Sequence, residues 1–118
     1  MMNHGKINDL LTSYEVDVRF PDVSGMEHLN MLLTRSALAE MERDHLLTSE
    51  QGRRLADADR ILASQASRFH HAIQRIANLA EWRQQEGAAP EQWWWYLDVL
   101  AMTPALAHAM EYPAPALS

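Results

Sequence analysis

The chain has 118 residues, is 47% hydrophobic and 22% charged, lacks cysteine and carries a formal net charge of -6. That length closes one hydrophobic core and leaves no room for separate substrate and cofactor domains. The missing cysteines exclude disulfide scaffolds, thiolate zinc sites, iron-sulfur clusters and cysteine nucleophiles, and the acidic balance argues against general binding to a phosphate backbone.

Residues 1–10, MMNHGKINDL, carry neither the apolar run nor the small-residue cleavage site of a secretory signal. No stretch approaches the ~18 apolar residues of a membrane span, so a cytoplasmic protein is expected. Residues 14–20, YEVDVRF, alternate, with Val16, Val18 and Phe20 on one side and Glu15, Asp17 and Arg19 on the other, which is the period of a half-buried strand. A lone strand has no internal partner, so residues 1–24 are expected as an extended arm, lying across helices or pairing with another chain at its edge. Pro21 ends the alternation.

Ser24 followed by Glu27 has the spacing of a capping box and opens a first helix over residues 26–47, with Leu29, Leu33, Ala37 and Met41 as its apolar series. Thr48 and Gln51 form a second box. The chain then runs without proline or glycine between Gly52 and Gly87, which predicts one long helix over residues 49–86. Along it Leu62, Ala66, Phe69, Ile73, Ile76 and Ala80 alternate steps of four and three, the seam by which one helix packs lengthwise on others. Gly87 and Pro90 separate it from a third helix beginning near residue 90 and ending before Pro104. A last short helix is expected to about Glu111, before a Pro/Ala-rich tail over residues 112–118. The fold class is all-α: a single helical domain over residues 25–111, built as an elongated hairpin or small bundle around one long central helix.

A helix over residues 49–86 would span about 57 Å, against roughly 35 Å for a compact domain of this size. A hairpin of that length is two helices thick and leaves an apolar side open, so a homodimer is expected. Trp93, Trp94, Trp95 and Tyr96 would step around the whole circumference of the third helix, too many rings for a monomer to cover. With Phe69, Ile73 and Ile76 of the seam they are the candidate interface to a partner or a second copy.

Chemistry is sparse. Glu42 and His45 have the Glu-x-x-His spacing of carboxylate-bridged di-metal bundles, but a single copy could be completed only by dimerisation, and a charged helix end explains both residues. His70 and His71 are adjacent, so they diverge by 100° on a helix, and a boundary histidine accounts for either. Asp57 and Asp59 point to opposite helix faces and make no catalytic pair, Asp57 matching Arg53 and Arg60 in ordinary surface ion pairs. Without a phosphate loop, a nucleophile elbow or a metalloprotease motif, no catalytic residue, enzyme activity or cofactor is assigned.

Arg53, Arg60, Arg68, Arg75 and Arg83 recur every seven or eight residues and would form a ridge facing away from the seam. Such a ridge suits an acidic partner or, as a weak alternative, nucleic acid. Residues 49–86 carry six Arg against five acids while residues 1–48 carry four basic residues against eight acids, so pairing within the chain is available. The function expected from the sequence is therefore a small non-catalytic interaction protein, such as an accessory subunit, an antitoxin or immunity-type protein, or a regulator.

Overall fold

The computed structural model describes residues 3–102; the helix expected to Glu111 and the tail over residues 112–118 lie outside them. Ile7, Leu11, Tyr14 and Val18 fall four, three and four residues apart, a spacing that aligns side chains on one helix face, and all four are buried. They belong to α1, Asn3–Asp17, and to the turn that closes it. The strand expected over residues 14–20 is thus a helix end: Val16 and Phe20 are exposed, and alternation over seven residues was a short sample of a 3.6-residue period. The N-terminal segment is part of the core, packed on both α2 and α3.

Helix α2, Gly25–Arg43, begins at Ser24, whose hydroxyl accepts from the Met26 amide at 3.1 Å. It ends in a Schellman motif, with the Leu46 amide donating to Met41 O and the His45 amide to Glu42 O. His45 therefore takes the left-handed position, φ 59°, that glycine usually fills. Helix α3, Ser49–Ser64, opens with the expected capping box: Thr48 Oγ1 accepts from the Gln51 amide, and Gln51 Oε1 accepts from the Thr48 amide. Gln51 also donates to Asn8 Oδ1 at 2.9 Å, a tie from α3 to α1.

The single helix expected over residues 49–86 is three helices: α3, then α4, Ala66–Gln74, then α5, Leu79–Gln85. At the first break Ser64 Oγ donates back to Ile61 O at 2.8 Å, a local bond that competes with the helical ladder, and Gln65 leaves helical geometry at φ -111°. At the second, Asn78 turns extended and its side chain accepts from the Glu81 amide, capping a new helix. Leu62, Ala66, Phe69 and Ile73 stay buried, but Ile76 and Ala80 fall at or past the turn and are exposed. The ~57 Å helix from which a homodimer follows is absent; the molecule measures 39 × 39 × 26 Å with a radius of gyration of 14.1 Å.

Gly87, φ 63°, closes α5 with the same motif as His45 closes α2: Ala88 donates to Arg83 O and Gly87 to Gln84 O. The expected third helix is a 3-10 turn, Trp93–Tyr96, running into α6, Leu97–Met102. The turn packs on α2, α5 and α6, so Trp94 and Trp95 both enter the core, 3% and 1% exposed, with Trp93 and Tyr96 half-buried. Both buried indoles donate to one oxygen, Ser36 Oγ on α2, at 3.0 and 2.9 Å. Arg83 clamps the turn from α5, donating to Trp95 O and Asp98 while its guanidinium lies 4.5 Å from the Tyr96 ring centroid.

Candidate functional site

Two arrangements of polar groups stand out. The first is interior. Asp59 on α3 accepts from Tyr14 OH of α1 at 2.6 Å and from Nε and Nη2 of Arg35 of α2 at 2.8 and 3.0 Å, so one carboxylate joins three helices. Burial, reinforced by Asp59, pushes the Tyr14 hydroxyl well above its ordinary range; burial also works against the charge of Arg35, but its hydrogen bonds to Asp59 and the attraction of that carboxylate together leave the guanidinium above its ordinary value. Arg35 also lies over the Trp94 ring, 4.1 Å from its centroid, with Nη1 buried and unpartnered. Both Asp59 oxygens are occupied and the phenol is held protonated, leaving neither a free base nor an activated nucleophile. The node is a three-helix tie, and reading Asp59 only against Asp57 missed it.

The second arrangement is a surface cleft of about 440 Å³ between the α1–α2 loop and α4. Two contacts fix the loop. His28, buried on α2, donates from Nε2 to Pro21 O at 2.9 Å and sets its ring edge-on to Phe69, with centroids 4.5 Å apart. Gly25 lies so close to α4 that a Cβ would stand 2.5 Å from Ala72 O and 2.8 Å from Ile76 Cγ1, a fit only glycine allows. The loop forms one wall. On the other, Arg68, His71 and Ala72 of α4 line the cleft with Arg75 at the helix C-cap and Ile76 in the turn beyond, on a side that adjoins buried Phe69 and Ile73.

Val23, 40% exposed, and Ile76, 54% exposed, make an apolar strip across this cleft, and Phe20 and Met26 are exposed at the two ends of the same loop. Arg68 pairs with Asp22 across the mouth. Arg75 makes no ion pair among the described residues.

The remaining candidates scatter. Of the seven proposed interface residues, Trp94, Trp95, Phe69 and Ile73 are interior and offer no surface, Trp93 and Tyr96 are half-buried, and Ile76 alone is open. The arginine ridge is divided along the chain: Arg53 and Arg60 are exposed on α3, with Arg60 paired to Asp57, Arg83 pairs with Asp98 on the far side of the second break, and Arg68 and Arg75 line one cleft. Glu42 sits in the last turn of α2 while His45 lies beyond it, so the helical spacing that would aim both at one metal is lost. Among the described residues no group of three or more His, Asp or Glu side chains could hold a metal ion, and no helix is long and apolar enough to cross a membrane. His71 faces the cleft, whereas half-buried His70 lines a separate pocket with Asn78 and Asp98.

Comparison with known proteins finds no matching family model, no matching curated protein and no matching solved structure.

Proposed function

We propose that the chain is a small, non-catalytic helical protein-protein interaction module that docks its partner in the cleft between the α1–α2 loop and α4. One observation carries this reading: exposed apolar side chains gather at a cleft held by close contacts, Val23 and Ile76 within it and Phe20 and Met26 at the two ends of its loop, while Trp94 and Trp95 are withdrawn into the core. A large aliphatic side chain contributes about 1.5–3 kcal/mol when fully buried, so each half-exposed one at the cleft offers roughly 1 kcal/mol to a partner that covers it. The tight Gly25 contact and the His28 tether keep the loop in place before binding, which lowers the ordering cost of association.

The test uses Val23→Glu and Ile76→Glu in the native host. Both positions are exposed, so thermal stability should change by less than about 0.5 kcal/mol, while the high-mass species that the wild-type chain forms on size exclusion should be lost. Self-association at the cleft reads out in the same experiment as a doubled mass. Variants that keep every association of the wild type refute the reading.

A further inference from the structure

Resting on that reading, we propose that the cleft takes a protein segment bearing an aliphatic side chain between two carboxylates about 10 Å apart. The spacing comes from the α4 wall. Arg68 on α4 and Arg75 at its C-cap, which keeps helical backbone angles of φ -73° and ψ -18°, are seven residues apart, and at 1.5 Å per residue their Cα atoms are separated by about 10 Å along the axis. Ala72 lies between them on α4 and Ile76 in the turn that follows, with Val23 across the cleft. A partner matches this pattern with acids at i and i+7 of a helix, or at i and i+3 of an extended strand rising about 3.3 Å per residue, and with its aliphatic residue between them.

Charge gives the sign. The chain carries -6 overall, yet the cleft presents Arg68, Arg75 and His71 against one acid, Asp22. That acid already occupies Arg68, in an ion pair exposed on both sides, and so stands where a partner carboxylate would sit. Exposed pairs of this kind are weak, so a partner carboxylate replaces Asp22 at little cost. Asp22 is then a competitor carried by the chain itself, and neutralising it strengthens binding.

The test is an amide NMR titration of the full chain with a 14-residue helical peptide bearing two glutamates seven positions apart and an isoleucine between them. The same peptide with glutamines and a single-stranded oligothymidine are run in parallel. The acidic peptide should shift amides of residues 21–25 and 68–76 and bind about threefold more tightly than its glutamine counterpart, from the new exposed ion pair at Arg75, since the one at Arg68 only replaces that with Asp22. Arg75→Gln should weaken it about threefold, and Asp22→Asn should tighten it about threefold.

Equal binding of the two peptides at these amides overturns the acidic partner and leaves the docking surface standing. Tighter binding of the oligonucleotide at the same amides overturns it in favour of nucleic acid. Shifts from neither peptide also overturn it, and the size-exclusion comparison of wild type with Ile76→Glu then judges the docking surface separately.

Discussion

Replacing Ser36 by alanine removes the oxygen on which two buried indoles converge. Ser36 Oγ accepts from Trp94 Nε1 at 3.0 Å and from Trp95 Nε1 at 2.9 Å, and both rings are interior. A buried donor left unpaired costs about 1–3 kcal/mol, so losing the shared acceptor costs about 2–5 kcal/mol once some relaxation is allowed. Whole domains are stable by only about 5–15 kcal/mol, which makes this small deletion a severe one. The asymmetry is the point: serine to alanine removes little volume, so the loss comes from stranded donors and not from a cavity. Ser36→Thr, which keeps the oxygen, should lose less than half as much. Urea unfolding followed by far-ultraviolet circular dichroism gives both numbers. A Ser36→Ala loss under about 0.5 kcal/mol would show that the indoles find other acceptors and that the shared bond does not organise the turn.

Asp59→Ala should cost about 3–5 kcal/mol in the same assay, because it leaves Arg35 charged and buried without its partner; a loss under 1 kcal/mol contradicts the three-helix tie. His45→Gly should stabilise the protein by about 0.5–1 kcal/mol by relieving a left-handed residue at the end of α2, and unchanged unfolding would refute that strain. Burial and the nearby Glu27 raise the Asp17 carboxyl above its ordinary value of 3.8. The folded state thus prefers Asp17 protonated, so the stability it contributes is present below that value and is lost as the pH rises through the folded one. Asp17→Asn should therefore stabilise the protein at pH 7, by up to about 1 kcal/mol at this helix C-terminus, and have little effect near pH 3. A gain that is the same at both pH values contradicts the assignment.

Features set by local hydrogen bonds could be read directly from the chain. Ser24, the Thr48 and Gln51 box, and Gly87 all act at the helix ends where their chemistry placed them. Other local signals were outweighed by a larger pattern. Asn78 and Glu81 have an N-cap spacing, but the apolar seam ran through them and suggested continuity. Ile7 and Leu11, read together with Tyr14 and Val18, show the helical period that a window starting at Tyr14 turned into alternation. The break at Gln65 contains neither proline nor glycine; it is marked only by Ser64 Oγ bonding back to Ile61 O and by the Gln65 amide shared between Ile61 O and Leu62 O. His45 gave little sign of its left-handed backbone, because residues other than glycine take positive φ in only a few per cent of cases, even though histidine is among those enriched there.

The candidate site was the least legible part for a different reason. Arg68, Arg75 and Ile76 were visible on one helix, but the wall facing them comes from residues 21–25, about 50 positions earlier. The close approach of Gly25 to Ala72, the His28 contact with Phe69 and the Asp22–Arg68 pair bring the two segments together. The same holds for Asp59, whose partners Tyr14 and Arg35 come from two other helices. The aromatic run misled because its four residues form one short 3-10 turn packed on α2, α5 and α6, so that rings diverging to different sides of the turn still meet protein.

The claim that the α1–α2 loop and α4 form a docking surface is tested most directly by site-specific photo-crosslinking in the native host. A photoreactive residue is placed at Val23, at Ile76 and, as a control, at Arg53, which is exposed on α3 outside the cleft. The account predicts one and the same discrete adduct from positions 23 and 76 and none from position 53. No adduct from either cleft position, or the same adduct from all three, would contradict it.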